Sequence, residues 1–199
     1  MADHEFETGA DAPVPDALAR LVAAAKEGRG APPVERWNPE YCGEIDMRIA
    51  ADGTWFYQGT PIGRPALVKL FASVLRKDPE RFVLVTPVER VGIAVEDAPF
   101  LAVEMAVEGD GDAREIAFRT NVDDVVKVDA EHPLVFARDA HGGVKPYLRV
   151  RGGLDALVTR ALAYDLAELA ELRRIDGREV WGVAAGGGFW EMMEAHEAG

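Results

Sequence analysis

The chain has 199 residues, of which 48% are hydrophobic and 29% charged, a composition that excludes disordered, collagen-like and low-complexity proteins. Its 22 basic and 35 acidic residues give a formal net charge of −13, which disfavours a nucleic-acid polymer or an anionic membrane as partner, because both carry dense negative charge. One cysteine cannot form an internal disulfide, and the acidic N-terminus does not resemble a signal peptide. These features predict a cytoplasmic protein without a membrane span.

Residues 1–36 are predicted to form an acidic tail, a short helix and a linker. The first 15 residues carry four acidic side chains and no Lys or Arg. Asp16 is a typical helix N-cap and Gly28 a typical helix stop, with apolar residues at helical spacing between them.

A ββαβ unit is predicted over residues 37–86. Residues 44–50 alternate between apolar and polar side chains, and Asp52-Gly53 is a dipeptide favoured in type I′ turns, where both residues have positive φ. An aromatic strand follows at residues 54–57, and Pro65 is well placed to begin a helix. A short strand before residue 86 completes the unit.

Residues 87–199 are predicted to form an antiparallel β-roll. Six segments alternate between apolar and polar residues and are separated by turn residues, as in a meander. A long helix over residues 153–174 is predicted to close the roll, because Leu154, Leu157 and Val158 recur at helical spacing. The fold class is therefore α+β, with two domains.

An internal repeat links the two predicted domains. Shifting the chain by 90 residues aligns residues 50–68 with residues 140–158 at seven identical positions. The repeat predicts that both windows fold as strand, turn, strand and helix start, so that the domains share a duplicated ββαβ unit. The alternative is that hairpins and helix starts look alike in unrelated segments.

Motifs of the common enzyme and cofactor classes are missing. Ser73 is the sole serine and lacks the flanking glycines of a nucleophile elbow, and neither a P-loop nor a dinucleotide-binding glycine pattern occurs. The glycines at 186–188 lack a following lysine and predict a tight turn. The four histidines have no metal-ligand spacing. We therefore predict no cofactor, no metal site and, on balance, no enzymatic activity.

One strand face is basic in this acidic chain. Lys145, Tyr147, Arg149 and Arg151 alternate along the same strand, and Gly152-Gly153 leads into the predicted helix. Free N–H groups at a helix N-terminus and a guanidinium group both favour anions, so this face predicts an anion-binding surface, with Lys145, Tyr147 and Arg151 as its ligand-binding residues. The alternative is a solvated strand face beside an ordinary helix start.

The first copy of the repeat offers a matching surface. Arg64 precedes the helix that begins at Pro65, and Trp55 and Tyr57 lie on the equivalent strand. Aromatic rings beside arginine are suited to a base and a phosphate, so Arg64, Trp55 and Tyr57 are predicted ligand-binding residues. In the alternative reading, the aromatic hairpin contacts a protein partner.

Acidic residues follow two predicted strands. Glu89 lies after Thr86-Pro87, and Glu96-Asp97 lies before Ala98-Pro99. Glu89 and Asp97 are included in the predicted ligand site, and Glu89, Glu96 or Asp97 would be an acid–base group if the protein were a hydrolase. Rim charges on turns are the other interpretation.

Three runs of sequence resemble a known family. The runs CGEIDMRIAADGTWFYQGTPIGRPALVKLF and LVTPVERVGIAVEDAPF, with the later VWGVAAGGGFW, resemble a bacterial family known only as domain of unknown function 1285. The resemblance spans about residues 37–190. It implies two domains with a duplicated core, a C-terminal part similar to a pleckstrin-homology fold, a ligand pocket between the domains and a role in signalling. It brings no catalytic residues.

The sequence thus favours a non-enzymatic protein that binds a small, nucleotide-like anion between its two domains. A protein-interaction adaptor that uses the aromatic hairpin is the first alternative. A hydrolase that uses Glu89, Glu96 or Asp97 is the second.

Overall fold

The computed structural model describes residues 32–139 and 142–197. The predicted acidic tail, the predicted helix between Asp16 and Gly28, and most of the linker lie outside the described residues. The described part of the chain forms two six-stranded sheets, a three-stranded sheet and two nine-residue α-helices. Buried apolar side chains from all three sheets form one continuous core.

The first sheet is built from two three-stranded meanders. Its strands, in chain order, are β1 (Tyr41–Ile49), β2 (Trp55–Tyr57), β3 (Thr60–Pro61), β4 (Leu75–Lys77), β5 (Phe82–Val85) and β6 (Arg90–Val95). The order across the sheet is β3-β2-β1-β6-β5-β4. The first and last strands, β1 and β6, form the parallel central pair, and every other pair is antiparallel.

The predicted hairpin between β1 and β2 is confirmed, but its turn differs from the prediction. Trp55 pairs with Ile49, and the Ala50 N–H donates to the Thr54 carbonyl at 2.9 Å. Only Gly53 has positive φ, at +80°, so the loop has three residues and ends in one left-handed glycine. A type I′ turn would also require positive φ at Asp52, which is not observed.

Helix α1 (Pro65–Ser73) joins the two meanders of the first sheet and begins at the predicted proline. Arg64 is its N-cap residue, and the Arg64 carbonyl accepts hydrogen bonds from the N–H groups of Leu67 and Val68. The buried face of the helix carries Phe71, whose ring stacks on the ring of Trp55 at a centroid distance of 6.2 Å. The helix therefore fills the core beside this sheet.

The second sheet repeats the topology of the first. Its strands are β7 (Phe100–Glu108), β8 (Glu115–Thr120), β9 (Val125–Lys127), β10 (Leu134–Arg138), β11 (Val144–Arg151) and β12 (Leu154–Val158). The order is β10-β11-β12-β7-β8-β9, again with the first and last strands as the parallel central pair. All six segments predicted as strands between residues 88 and 150 are strands, although one of them, β6, belongs to the first sheet.

The duplication has a different offset from the one predicted. β1 and β7 begin at Tyr41 and Phe100, 59 residues apart, and β6 and β12 begin at Arg90 and Leu154, 64 residues apart. The 90-residue offset instead aligns the start of α1 with β12, a helix with a strand. The predicted common element order of the two windows is therefore wrong, although the two sheets share one topology.

Three further predictions need correction. The helix predicted over residues 153–174 is too long: residues 160–168 are helical, but residues 154–158 form β12, with Leu154, Ala156 and Val158 buried on one face, and residues 171–175 form a strand. The second sheet is not a purely antiparallel roll, because β7 and β12 are parallel. The predicted boundary after residue 86 is also displaced, because β6 pairs with β1 and β5 of the first sheet.

Helix α2 (Arg160–Glu168) follows β12 and leads into the third sheet. That sheet consists of β13 (Glu171–Ile175), β14 (Arg178–Ala185) and β15 (Gly188–Glu194), all antiparallel. Gly186 and Gly187 join β14 to β15 with positive φ, which confirms the predicted glycine turn. β15 packs against β10, the edge strand of the second sheet.

Candidate functional site

A cavity of about 790 Å³ lies beside the edge of the second sheet. Strands β10 to β12 form one wall, helix α2 the second and β15 the third. Pockets of about 300–1,000 Å³ are typical of small-molecule sites. All lining residues belong to residues 136–193, so the cavity lies within the C-terminal part of the chain and not between the two six-stranded sheets.

The walls of the cavity are apolar, and small residues create its space. Phe136 of β10, Leu157 of β12 and Met192 of β15 contribute large apolar side chains. Helix α2 contributes Ala163 and Ala167, which lie one turn apart and therefore on one face of the helix. Because alanine ends at Cβ, this face cannot fill the gap between the helix and the sheet.

Two cationic side chains line the same cavity, Lys145 of β11 and Arg160 of α2, and one acidic side chain, Asp139, lines it beside the end of β10. Arg160 is the first residue of α2, and its guanidinium donates hydrogen bonds of 3.1 and 3.2 Å to the Tyr164 hydroxyl one turn later. These hydrogen bonds raise the pKa of Arg160 above its ordinary value. The Tyr164 side chain, 59% exposed, also lines the cavity.

Lys145 also belongs to a polar cluster with Tyr147 and Asp97. Asp97 lies in the linker between β6 and β7, and its carboxylate accepts hydrogen bonds from the Lys145 ammonium and, at 2.7 Å, from the Tyr147 hydroxyl. The structure thus brings three of the predicted ligand-binding residues into contact, and their role in binding a ligand stays a prediction. The Lys145 ammonium also lies 5.8 Å from the centre of the Tyr147 ring.

The pKa shifts in this cluster favour fixed charges over proton transfer. Burial raises the pKa of Asp97, but the hydrogen bonds from Lys145 and Tyr147 outweigh it and hold this pKa below the ordinary value. The hydrogen bond to Asp97 raises the pKa of Lys145, and burial raises the pKa of Tyr147. All three pKa values move away from neutrality, whereas a general acid or base works best with a pKa near the working pH.

The adjacent linker residue faces the other sheet. The Glu96 carboxylate contacts the guanidinium of Arg48 on β1 and accepts a hydrogen bond of 3.0 Å from the Ala51 N–H. Glu96 therefore holds the linker to the first sheet, while Asp97 holds it to the second.

The acids do not form a single catalytic site. Glu89 lies in the turn between β5 and β6, and Glu96 follows the other end of β6. Seven residues of extended chain separate them by about 23 Å, at about 3.3 Å per residue. The paired carboxylates of a hydrolase must both reach one substrate atom, so Glu89 cannot act together with Glu96 or Asp97.

The structure separates the remaining predicted residues from this cavity. Trp55 is 1% exposed, so its predicted role as a ligand surface is wrong, and Tyr57 packs partly against the same core. Arg64 is exposed at the start of α1. Arg151 is followed by a two-glycine turn and a strand, so the helix start predicted beside it is wrong.

Arg151 instead connects the two sheets. Its guanidinium donates to the Ala72 carbonyl at the end of α1, at 2.7 Å, and to the Asp124 carboxylate before β9, at 2.6 Å. It also lies over the Phe100 ring, 5.1 Å from the ring centre. Beside it, Lys69 of α1 contacts Asp123. Arg151 thus uses two of its five N–H donors in contacts that join the two sheets.

Sequence models of one family cover most of the chain. Residues 32–98 match the N-terminal domain of DUF1285, a domain of unknown function, and residues 99–192 match its C-terminal domain. The chain belongs to the DUF1285 family. The boundary between the two DUF1285 domains falls in the linker that contains Asp97, between β6 and β7.

Two solved structures of DUF1285 proteins are similar to this chain. A family member from Silicibacter pomeroyi DSS-3 is 46% identical, with a TM-score of 0.81, over 89% of this chain and 97% of its own. A member from Shewanella baltica OS155 is 28% identical, with a TM-score of 0.50, over 62% of this chain and 91% of its own. No curated protein matches the sequence.

Sequence reasoning missed most of the cavity. Arg160 and Tyr164 lie inside the helix that was predicted too long, and no role was predicted for Met192. The sequence did hold a signal for the Arg160–Tyr164 pair, because arginine and tyrosine four residues apart lie on the same side of a helix and are able to form a hydrogen bond. Met192 had no comparable signal, because its place in the wall depends on the pairing of β15 with β14.

Metal and membrane features are both lacking in the described residues. Within residues 32–139 and 142–197, no group of three or more His, Cys, Asp or Glu side chains is placed to hold a metal ion. The α-helices of these segments have nine residues each, whereas a bilayer crossing takes about 20.

Proposed function

We propose that this DUF1285 protein is a non-enzymatic binding protein for a small organic anion with an apolar, preferably aromatic, body. The observation that carries the proposal is the cavity of about 790 Å³, whose mostly apolar walls carry two cationic residues, Lys145 and Arg160, and a single acidic one, Asp139. A net charge of −13 makes a pair of cations in one cavity unusual for this chain. The nucleotide-like ligand expected from the sequence falls within this class.

The lining residues suggest how the two parts of the ligand would bind. Phe136, Met192 and Tyr164 offer ring and thioether contacts to an aromatic body. Arg160 offers a planar donor group suited to carboxylate, sulfonate or phosphate, and Lys145 offers a compact positive charge. Because these groups converge on one cavity, the proposed site lies within the C-terminal domain rather than between the domains.

The alternatives receive less support. The adaptor hypothesis relied on an exposed aromatic hairpin, and Trp55 is buried. The hydrolase hypothesis relied on carboxylates that lie at opposite ends of β6. A pleckstrin-homology-like shape of the C-terminal domain, a signalling role and a cytoplasmic location stay predictions. The feature that favours a pleckstrin-homology-like shape is the second sheet followed by α2.

A matched pair of fluorescent ligands tests the proposal. Anilinonaphthalene sulfonate carries an aromatic body and one anionic group, and phenylnaphthylamine has the same body without the sulfonate. We expect both to bind, and Arg160→Gln and Lys145→Gln each to weaken sulfonate binding about tenfold, as for the loss of one charge-assisted contact. Binding of the neutral ligand is expected to change less than twofold.

Two control variants locate the site. Lys127→Gln removes an exposed lysine that pairs with Glu115 outside the cavity, and both affinities are expected to stay within twofold. Arg64→Gln tests the region first predicted from sequence. A larger loss for Arg64→Gln than for Arg160→Gln would move the site to the first domain and contradict the proposal, as would a sulfonate affinity that none of the cavity variants changes.

A further inference from the structure

Asp97 is placed where it competes with a ligand for a cation of the cavity. Lys145 lines the cavity, and its ammonium already contacts the Asp97 carboxylate. An ammonium group has three donors, so Lys145 is able to contact a second anion. Two negative groups around one ammonium nevertheless repel each other, because like charges a few ångströms apart interact strongly at partly buried positions.

The competition has a structural consequence because Asp97 belongs to the interdomain linker. Its neighbour Glu96 is held by Arg48 and the Ala51 N–H of the first sheet. Asp97 is held by Lys145 and Tyr147 of the second sheet, on the other side. Ala98, next in the linker, is 4% exposed. Weakening of the contacts of Asp97 therefore loosens the linker at one end only.

We propose that Asp97 is a built-in competitor for the ligand's anionic group at Lys145, so that an anion entering the cavity releases the Asp97 end of the linker between the two domains. This inference rests on the proposed function and specifies how the same site is regulated. Linkage makes the coupling reciprocal: the carboxylate weakens anion binding by the same factor by which the anion weakens the carboxylate's hold on β11.

The affinity test uses two neighbouring acids as a matched pair. Asp97→Asn and Glu96→Gln change the net charge equally, but only Asp97 contacts Lys145. We expect Asp97→Asn to tighten binding of anilinonaphthalene sulfonate about three- to tenfold, from the loss of a like charge about 6 Å away. Glu96→Gln is expected to change it less than twofold, and neither variant to change the affinity for phenylnaphthylamine more than twofold.

A measurement on the native protein keeps the test decisive if Asp97→Asn does not fold. Hydrogen exchange of the Asp97 and Ala98 amides is compared without ligand, with saturating sulfonate and with saturating neutral ligand. We expect exchange of these two amides to speed up at least threefold with the sulfonate only. The Glu96 amide, which donates to the Ile49 carbonyl of the first sheet, and the amides of β14 are expected to keep their rates.

The outcomes separate the two proposals. Sulfonate binding that needs Lys145 and Arg160, but is equally tight in Asp97→Asn and Glu96→Gln and leaves the linker amides unchanged, would overturn the competition and leave the binding site standing. Weaker sulfonate binding by Asp97→Asn would overturn it as well. Sulfonate binding that depends on neither cation would overturn both proposals.

Discussion

The two six-stranded sheets share a strand order, but the two helices beside them differ in what they bury. Helix α1 buries Phe71 and Ala72 against the first sheet, and Phe71 stacks on Trp55. Helix α2 buries only Leu166, and its alanines leave a cavity beside the second sheet. Two helices of equal length thus close a core in one place and form one wall of a cavity in the other. Helix α2 packs on the core through Leu162, Leu166 and Leu169 and lines the cavity with Ala163 and Ala167.

The largest effect that tests this difference between the helices is expected from truncating one aromatic residue on each helix. Phe71→Ala removes a side chain that is 0% exposed and is expected to cost about 3–5 kcal/mol in the free energy of unfolding. Tyr164→Ala removes a side chain that is 59% exposed and is expected to cost less than about 1 kcal/mol. Urea unfolding of both variants measures the difference. Equal losses would show that α2 packs as a core helix and that the comparison is wrong.

Arginines on β11 test how the two regions are joined. Arg151→Met removes hydrogen bonds to the Ala72 carbonyl and Asp124, and we expect a loss of about 1–3 kcal/mol. Arg149→Met is the control, because Arg149 pairs with Asp155 of the neighbouring strand in the same sheet and is expected to contribute about 0.2–1 kcal/mol. A loss for Arg149→Met as large as that for Arg151→Met would show that the contact between the regions has no special weight.

Two glycines with positive φ on the first sheet test how closely the two regions approach each other at the β1–β2 turn. A Cβ at Gly53 would lie 3.0 Å from Leu101 and Asn121 of the second region, whereas a Cβ at Gly59 would meet nothing within 4 Å. Both have positive φ, at +80° and +74°, so alanine costs about 1 kcal/mol of backbone strain at each. We expect Gly53→Ala to lower the free energy of unfolding by about 0.5–1 kcal/mol more than Gly59→Ala. Thermal unfolding of the pair gives the answer, and equal losses would contradict a close approach of the regions at this turn.

The smallest expected effect concerns the linker and pH. The pKa of Asp97 is lower in the folded protein than in the unfolded chain, so its contribution is present above the unfolded pKa of about 3.9 and is lost as the pH falls through the folded pKa. We expect the free energy of unfolding of the native protein to exceed that of Asp97→Asn by no more than about 1 kcal/mol near pH 6. The difference is expected to shrink below pH 4 in denaturant titrations. If the difference in the free energy of unfolding grew on acidification, the pKa of Asp97 would be raised by folding and not lowered.

Local elements with strong sequence signals were predictable. The β1–β2 hairpin, the start of α1 at Pro65 and the glycine turn at 186–187 each depend on a few neighbouring residues, and all three are observed. The prediction for residues 154–158, which form β12, was wrong because the sequence fits two patterns. Leu154, Leu157 and Val158 fit helical spacing, while Leu154, Ala156 and Val158 fit strand alternation equally well. The parallel pairing of β12 with β7 decides between them, and that contact joins residues more than fifty positions apart.

For the candidate site, too, local features were predictable and long-range contacts were not. The members of the cluster were named from sequence for two separate reasons. Lys145 and Tyr147 lie on a strand that is basic in an acidic chain, and Asp97 was named as an acid at a strand end. The contacts between them could not be predicted, because they join residues about 50 positions apart. The cavity could not be foreseen, because its space arises where α2, with alanines facing inward, meets β15 across the edge of the second sheet. Trp55 was misjudged because an aromatic strand residue has the same sequence signal whether it faces solvent or the core.

Methyl resonances of methionine test the central claim most directly. The chain has five methionines, of which Met192 and Met193 line the cavity and Met47 is buried beside the first sheet. Carbon-labelled methionine methyl groups are followed by NMR while anilinonaphthalene sulfonate is added, since the aromatic rings of a bound ligand shift nearby methyl signals. The proposal predicts saturable shifts of Met192 and Met193 that weaken in Arg160→Gln, with Met47 unchanged. Shifts confined to Met47, or no saturable shift at Met192 and Met193, would contradict it.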